Sequence, residues 1–281
     1  MKLPVPQLLK DKFREKVIHW VLNSKEFETL NENVESNRVA ISQLQELVKY
    51  YGSGIGLPSK KLQIRVVGGY FDDFISSGFR SVKDIVRELA KFSPEMLTDK
   101  AKFLDFGSGP GRVTLALNKS FPQWQMVGCD IDNETIEFAQ SEYSSLGINF
   151  HTVDAFGKTA FSDGEFNVIF GSSVFTHLPE DLQHIWLAEL SRIADNGAIL
   201  LLSVENKKSR VILNKEQSET FDSKGFFFYE GWHTDGLPDF YRTTLHTHEY
   251  VHKVWSEYFE ILHIEELGNI NHQDLVVCRK R

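Results

Sequence analysis

The chain has 281 residues, of which 41% are hydrophobic and 25% are charged. This composition is typical of a globular protein with one large domain, or with one domain and a substantial extension. Its 31 Lys and Arg residues against 39 Asp and Glu residues give a net charge of −8, and no segment is dense in Lys or Arg. Nucleic acid is therefore not expected as a partner, because phosphate binding depends mainly on basic side chains.

The two cysteines, Cys129 and Cys278, lie in apolar segments and are expected to be buried thiols in a reducing compartment. No apolar run reaches the roughly 18 residues that a membrane span needs. The first residues lack the apolar core of a secretory signal. Together these features predict a cytoplasmic protein without a membrane partner.

The first 97 residues are predicted to form a helical cap. Apolar residues recur at helical spacing in segments 13–21 and 39–51, and a third helix is expected over 82–92, ending before a proline. A flexible break is expected at 52–58. Residues 68–73 begin with Gly-Gly, which is either a plain turn or a segment that closes over a bound ligand.

From about residue 98 the pattern changes to short apolar strands that alternate with helices. The predicted strands are 102–106, 125–129, 148–153, 166–170 and 198–204, and the predicted helices are 112–119, 134–143 and 179–193. Such alternation is typical of a parallel sheet covered on both faces. Two more strands, at 259–266 and 275–279, flank 268–272 and predict a terminal antiparallel hairpin.

A glycine-rich segment follows the first of these strands. Residues 103–112 read Phe-Leu-Asp-Phe-Gly-Ser-Gly-Pro-Gly-Arg. In open α/β sheets, ligands bind at the carboxyl ends of the strands, and glycine lets them approach the backbone. Such strings also occur in ordinary turns. Here, however, the next strand ends in Asp130, nineteen residues after Gly111, where a carboxylate can accept both hydroxyls of a ribose.

The loop fits a dinucleotide less well. The third glycine of a dinucleotide fingerprint is replaced by Arg112, and Pro110 removes one backbone donor from the phosphate cradle. S-adenosylmethionine carries no phosphate, so neither change affects its binding. The loop therefore favours a methyl donor over a redox cofactor.

Four segments, 103–112, 127–131, 153–155 and 166–179, together resemble the class I S-adenosylmethionine-dependent methyltransferases in order and spacing. The resemblance implies a Rossmann-like α/β fold: a seven-stranded, mostly parallel sheet with helices on both faces and an antiparallel C-terminal strand. It implies an N-terminal helical cap (1–97), a methyltransferase domain (98–281), and an insertion (205–258) that covers the substrate.

The resemblance also implies S-adenosylmethionine as the cofactor. The residues that it assigns to the cofactor are Asp105, Gly107, Ser108, Gly109, Asp130, Ile131, Asp154, Ala155, Gly171 and Ser172. Asp130 would bind the ribose and Asp154 the adenine amino group. Each of these two could instead be a strand-end or surface carboxylate. Asp132 is the expected cap of the following helix.

Methyl transfer from a sulfonium is a direct displacement, and it depends on orienting the two reactants. A hydroxyl acceptor also needs a general base, and His177 is the candidate because it follows the fourth strand. The alternative is that His177 only packs against the helix starting near Pro179.

The segment 205–258 is rich in aromatic residues, which suit the wall of a small-molecule pocket. The predicted substrate residues are Trp232, His233, Tyr241, His246 and, at the hairpin turn, His272. These side chains could equally serve packing or turn formation. The spacing His246-x-His248-x-x-x-His252 lacks a partner carboxylate, so no metal is expected.

The sequence thus predicts an enzyme that methylates an oxygen or nitrogen of a small organic acceptor, such as a sugar or a secondary metabolite. The alternatives are a protein or RNA methyltransferase and a regulatory module that binds the cofactor without catalysis. The oligomeric state is not predicted.

Overall fold

The computed structural model describes residues 55–67, 74–231 and 236–281. Apart from Ile55, these residues belong to one compact unit, Gly56–Arg281. The helices predicted at 13–21 and 39–51, and the segment 68–73, lie outside the described residues.

A seven-stranded sheet forms the centre of this unit, in the order β3-β2-β1-β4-β5-β9-β8. Strands β1 to β5 are parallel, whereas β9 runs antiparallel to both β5 and β8. The strands are β1 Lys102–Phe106, β2 Gln125–Asp130, β3 Asn149–Thr152, β4 Phe166–Gly171, β5 Ala194–Val204, β8 Glu260–Asn269 and β9 Gln273–Arg279. This sheet confirms the predicted fold.

Two further strands, β6 Phe226–Tyr229 and β7 Thr243–His246, form a separate antiparallel pair. The described helices are α1 Lys60–Val67, α2 Phe74–Phe92, α3 Arg112–Ser120, α4 Asn133–Tyr143, α5 Glu180–Ile193, α6 Lys215–Lys224 and α7 His248–Trp255, with 3-10 turns at Pro94–Leu97, Ser144–Leu146 and Lys207–Ile212.

Helix α5 illustrates why these segments are helical. Its buried residues Leu182, Trp186 and Leu190 recur every four residues and form one apolar face against the core. Acidic side chains occupy its first turn and Arg192 its last turn, and these charges stabilise the helix by interacting favourably with its dipole. The strands are almost entirely buried, as expected for a sheet covered by helices.

Two boundaries differ from the predictions. Helix α2 begins at Phe74, eight residues before the predicted start at 82, and Gly78 lies within its first three turns. Segment 205–258, which shows no clear period in sequence, contains α6, β6, β7 and α7. Its strands are only four residues long and pair across an intervening loop, so periodicity has too few residues to reveal them.

Cys129 and Cys278 are buried free thiols, and burial raises the pKa of both. Among the helices that the structure describes, none has the length and apolar character needed to span a bilayer.

Candidate active site

A cavity of about 1020 Å³ opens at the carboxyl ends of the parallel strands. The register of β1 with β2 and β4 places the residues that follow these strands side by side at this edge. Further walls come from α1, from segment 236–243 and from the β8–β9 turn. The volume is at the upper end of the range for small-molecule sites, which leaves room for a cofactor and a second ligand.

The glycine loop requires its glycines. Gly107, Gly109 and Gly111 have φ values of 75°, 52° and 83°, which residues other than glycine rarely adopt. A Cβ atom on Gly107 would lie 2.3 Å from Cγ2 of Val174. The backbone N–H groups of Gly107 and Ser108 donate to the carbonyl of Cys129, which fixes the loop against β2. At these glycine positions the loop therefore presents backbone to the cavity.

Asp105 lines the cavity from the end of β1, although it is only 2% exposed. Its Oδ2 atom accepts hydrogen bonds from the backbone N–H of Thr114 at 3.0 Å and from the Thr114 hydroxyl at 2.6 Å. Burial raises the pKa of Asp105 to about 6, against the opposing effects of Thr114 and Arg112. The site thus holds a carboxyl group whose charged form is costly.

Asp130 is held by backbone groups on both of its carboxylate oxygens. Oδ2 accepts from the N–H of Gly109 at 2.7 Å, and Oδ1 accepts from the N–H of Asp132 at 2.9 Å. Burial raises the pKa of Asp130 despite these hydrogen bonds. The carboxylate therefore joins the glycine loop to the start of α4, and it lines the cavity beside Ile131.

The other residues assigned to the cofactor divide into two groups. Ala155 and Ser172 line the cavity. Asp154 is exposed outside it and accepts a hydrogen bond from the N–H of Phe156 at 2.7 Å. Gly171 is buried within β4, and a Cβ on it would lie 3.0 Å from Leu202. The adenine contact of Asp154 stays a prediction, and in this structure its side chain lies outside the lining of the cavity while its neighbours Val153 and Ala155 line it.

Ser173, the second residue after β4, has a left-handed backbone with φ 58°. Its N–H donates to Oγ of Ser203 at 2.7 Å, and its hydroxyl donates to Oε1 of Gln273 at 2.9 Å. The hydroxyl of Tyr241 donates to the Ser173 carbonyl at 3.3 Å. Left-handed residues other than glycine cluster at functional sites, and these contacts stabilise this one.

His177 lines the cavity with a fixed orientation. Its Nδ1 lies 2.6 Å from the carbonyl oxygen of Arg242, and its ring stacks on Tyr241 with 4.2 Å between ring centres. A carbonyl only accepts, so Nδ1 carries the proton and Nε2 of the neutral ring is an acceptor. Burial lowers the pKa of His177, which favours this neutral form.

Of the predicted substrate residues, Tyr241 and His272 line the cavity, while Trp232 and His233 lie outside the described residues. His246 does not line the cavity. It is buried, its Nε2 donates to Oε1 of Gln183 at 2.9 Å, and burial lowers its pKa to about 3. This placement gives His246 a packing role in place of the predicted substrate contact.

Sequence reasoning missed several cavity residues. Arg65 pairs with Asp132 at 2.5 Å and lies on the wall near Asp130. Glu205 accepts from Nε2 of Gln273 at 3.1 Å. These contacts join residues about 70 positions apart, so no local pattern could have found them. The one available signal was the position of Glu205 directly after a predicted strand.

The described residues contain no group of three or more His, Cys, Asp or Glu side chains that could hold a metal ion.

Residues 103–197 match a family model described as a methyltransferase domain. A ubiquinone/menaquinone biosynthesis C-methyltransferase from Desulfotalea psychrophila is 27% identical over 94 residues. That alignment covers 34% of this chain and 37% of the relative, so the chain matches little more than a third of the relative's length.

Two solved structures show the same fold. The PH0226 protein from Pyrococcus horikoshii is 18% identical with a TM-score of 0.53, and the match covers 75% of this chain and 96% of that one. Magnesium protoporphyrin IX methyltransferase from Synechocystis, determined with bound SAH, is 17% identical with a TM-score of 0.52 and coverages of 76% and 88%. The matched domain, the strand order and the glycine loop show that residues 103–197 form a methyltransferase domain with the Rossmann-like fold of the class I enzymes, whose cofactor is S-adenosylmethionine.

Proposed function

We propose that this chain transfers a methyl group from S-adenosylmethionine to an oxygen or nitrogen of a small organic acceptor, such as a sugar or a secondary metabolite. One observation carries the proposal. A single cavity is lined both by the glycine loop with Asp130 and by His177, which is oriented with a free acceptor nitrogen.

The residues at the strand ends fit the cofactor. The left-handed glycines expose backbone at positions 107 and 109, so that the methionine portion can lie against backbone beside Asp105. The Asp130 carboxylate is held at the end of β2, where it can accept hydrogen bonds from ribose hydroxyls. When bound, S-adenosylmethionine supplies a methyl group on a positively charged sulfur.

His177 is proposed as the general base. An acceptor hydroxyl or amine that attacks the methyl carbon loses a proton, and Nε2 of His177 takes it. The carbonyl of Arg242 holds the ring by Nδ1 and stabilises the imidazolium that forms. Because the pKa of His177 is lowered, the ring is neutral and able to accept a proton at neutral pH.

The walls of the cavity favour a small acceptor. The apolar residues Ile212, Leu237 and Phe240 line the cavity together with Tyr241, and so do the polar residues Glu205 and His272. A mixture of apolar surface and a few fixed polar groups is typical of sites for small molecules. The net charge of −8 supports this choice over RNA.

Transfer of tritium from labelled S-adenosylmethionine into a small-molecule extract, followed by mass spectrometry of the labelled product, tests the proposal. We expect label in a small O- or N-methylated product. Label in a carbon-methylated product, in protein or in RNA would contradict the proposed acceptor. Cofactor binding with no transfer to any fraction would favour a non-catalytic module.

His177→Ala tests the base. We expect a fall in kcat of about 10² to 10⁴-fold with cofactor Kd changed less than about twofold, because His177 acts on the proton and not on the cofactor. His252→Ala, at an exposed histidine of α7, is the matched control. An unchanged rate for His177→Ala would exclude this residue as the base.

A further inference from the structure

The turn between β8 and β9 has an unusual backbone. Ile270 and Asn271 have φ values of 47° and 58°, and the N–H of His272 donates to the carbonyl of Asn269 at 3.0 Å. Positive φ at both central residues is the signature of a type I′ turn, in which Asn, Asp and Gly are strongly preferred. A branched isoleucine at the first central position is a strained choice.

Contacts from α2 hold this turn in place. The carboxylate of Asp84 accepts a hydrogen bond from the N–H of Ile270 at 2.7 Å. The guanidinium of Arg87, which also pairs with Asp84, donates to the carbonyl of Gly268 at 2.9 Å. The backbone of the turn is therefore stabilised from outside, independently of the Ile270 side chain.

Packing in the hydrophobic core does not explain why isoleucine occupies position 270. Ile270 is half-buried and lies outside the buried hydrophobic set of the described residues. It lines the cavity, as do its neighbours Asn271 and His272. Residues held in strained backbone persist where a site needs them.

The turn is joined to the loop after β4. The Asn269 amide donates to Oγ of Ser172 at 2.9 Å, and Oε1 of Gln273 accepts from the hydroxyl of Ser173. Residues on both sides of Ile270 are thus hydrogen-bonded to the loop after β4, and His177 lies in this loop four residues after Ser173. These bonds place the turn beside the loop that carries His177, the proposed base.

We propose that Ile270 is a specificity-determining residue: its branched side chain is kept in a strained turn because it forms an apolar wall for the methyl acceptor. This inference rests on the proposed function. It implies an acceptor with an apolar face next to the reacting oxygen or nitrogen.

Ile270→Asn tests the inference, because asparagine adopts left-handed backbone readily and removes the apolar wall. We expect a Tm raised by about 2 °C, since strain is relieved. The KM for the acceptor identified in the tritium-transfer experiment should rise about tenfold. The Kd for S-adenosylmethionine should be unchanged. Ile270→Val, which keeps the branched shape, is the matched control and should retain the wild-type KM within about threefold.

Either of two outcomes would overturn the inference. A lower Tm for Ile270→Asn would mean that the side chain serves packing. A higher Tm with an unchanged KM would mean that the acceptor does not touch it. Absence of transfer by the wild-type protein would instead refute the proposed function, and the Tm comparison would still decide whether the turn is strained.

Discussion

Replacing Asp105 with asparagine should stabilise the cofactor-free protein at pH 8 while weakening cofactor binding. The asparagine carbonyl can still accept the hydrogen bonds that Thr114 donates to Oδ2. What the substitution removes is the cost of keeping a carboxylate charged in a buried position. The methionine portion of the cofactor is proposed to lie beside Asp105, and its ammonium group is expected to be attracted by this negative charge.

The magnitude follows from the pKa. Burial raises the pKa of Asp105 from 3.8 to about 6, and this difference corresponds to about 3 kcal/mol at high pH. Because the pKa is higher in the folded state than in the unfolded state, folding favours the protonated carboxyl. The stability that Asp105 contributes is therefore fully present below pH 3.8 and is lost as the pH rises through 6. Between pH 5 and pH 8, the wild-type protein should lose about 1 kcal/mol of stability from this group.

Urea unfolding of both proteins at pH 5 and pH 8 measures the effect. The free energy of unfolding of the wild-type protein should fall by about 1 kcal/mol more than that of Asp105→Asn over this interval. Asp99→Asn, at an exposed carboxylate, is the control and should follow the wild type. Calorimetry should show a cofactor Kd raised about tenfold in Asp105→Asn. Parallel pH dependences for Asp105→Asn and wild type would refute the reasoning.

Two further substitutions test the packing around the cavity. Gly78→Ala should destabilise the protein by more than about 2 kcal/mol in urea, because the new Cβ would lie 2.5 Å from the carbonyl oxygen of Arg112; a gain of about 1 kcal/mol, as helix propensity alone predicts, would contradict this packing. Arg65→Gln should raise the cofactor Kd about tenfold by calorimetry, because it leaves the Asp132 carboxylate unpaired at the cavity wall. Lys61 lies on the same helix as Arg65 and forms an exposed ion pair with Glu134. Lys61→Gln should therefore leave the cofactor Kd unchanged, and an equal effect of both variants would exclude a specific role for Arg65.

The sequence by itself determined the sheet and the methyl donor. Strands β1, β2 and β4 are short apolar runs with a glycine or an aspartate at the last position or directly after it. Both signals are local, so they can be recognised without knowing what packs on the strands. The glycine loop and Asp130 are likewise adjacent to strand ends, where fold topology places ligands.

Only the tertiary structure decided which of the candidate acceptor residues line the cavity. His246 and His177 are both histidines in aromatic surroundings, yet one is enclosed beside Gln183 and the other faces the cavity. The contacts among Ser173, Glu205 and Gln273 join strands that are far apart in the chain. Such side chains are brought together by the crossovers of the sheet, and no sequence period reports which face of a loop will meet a ligand.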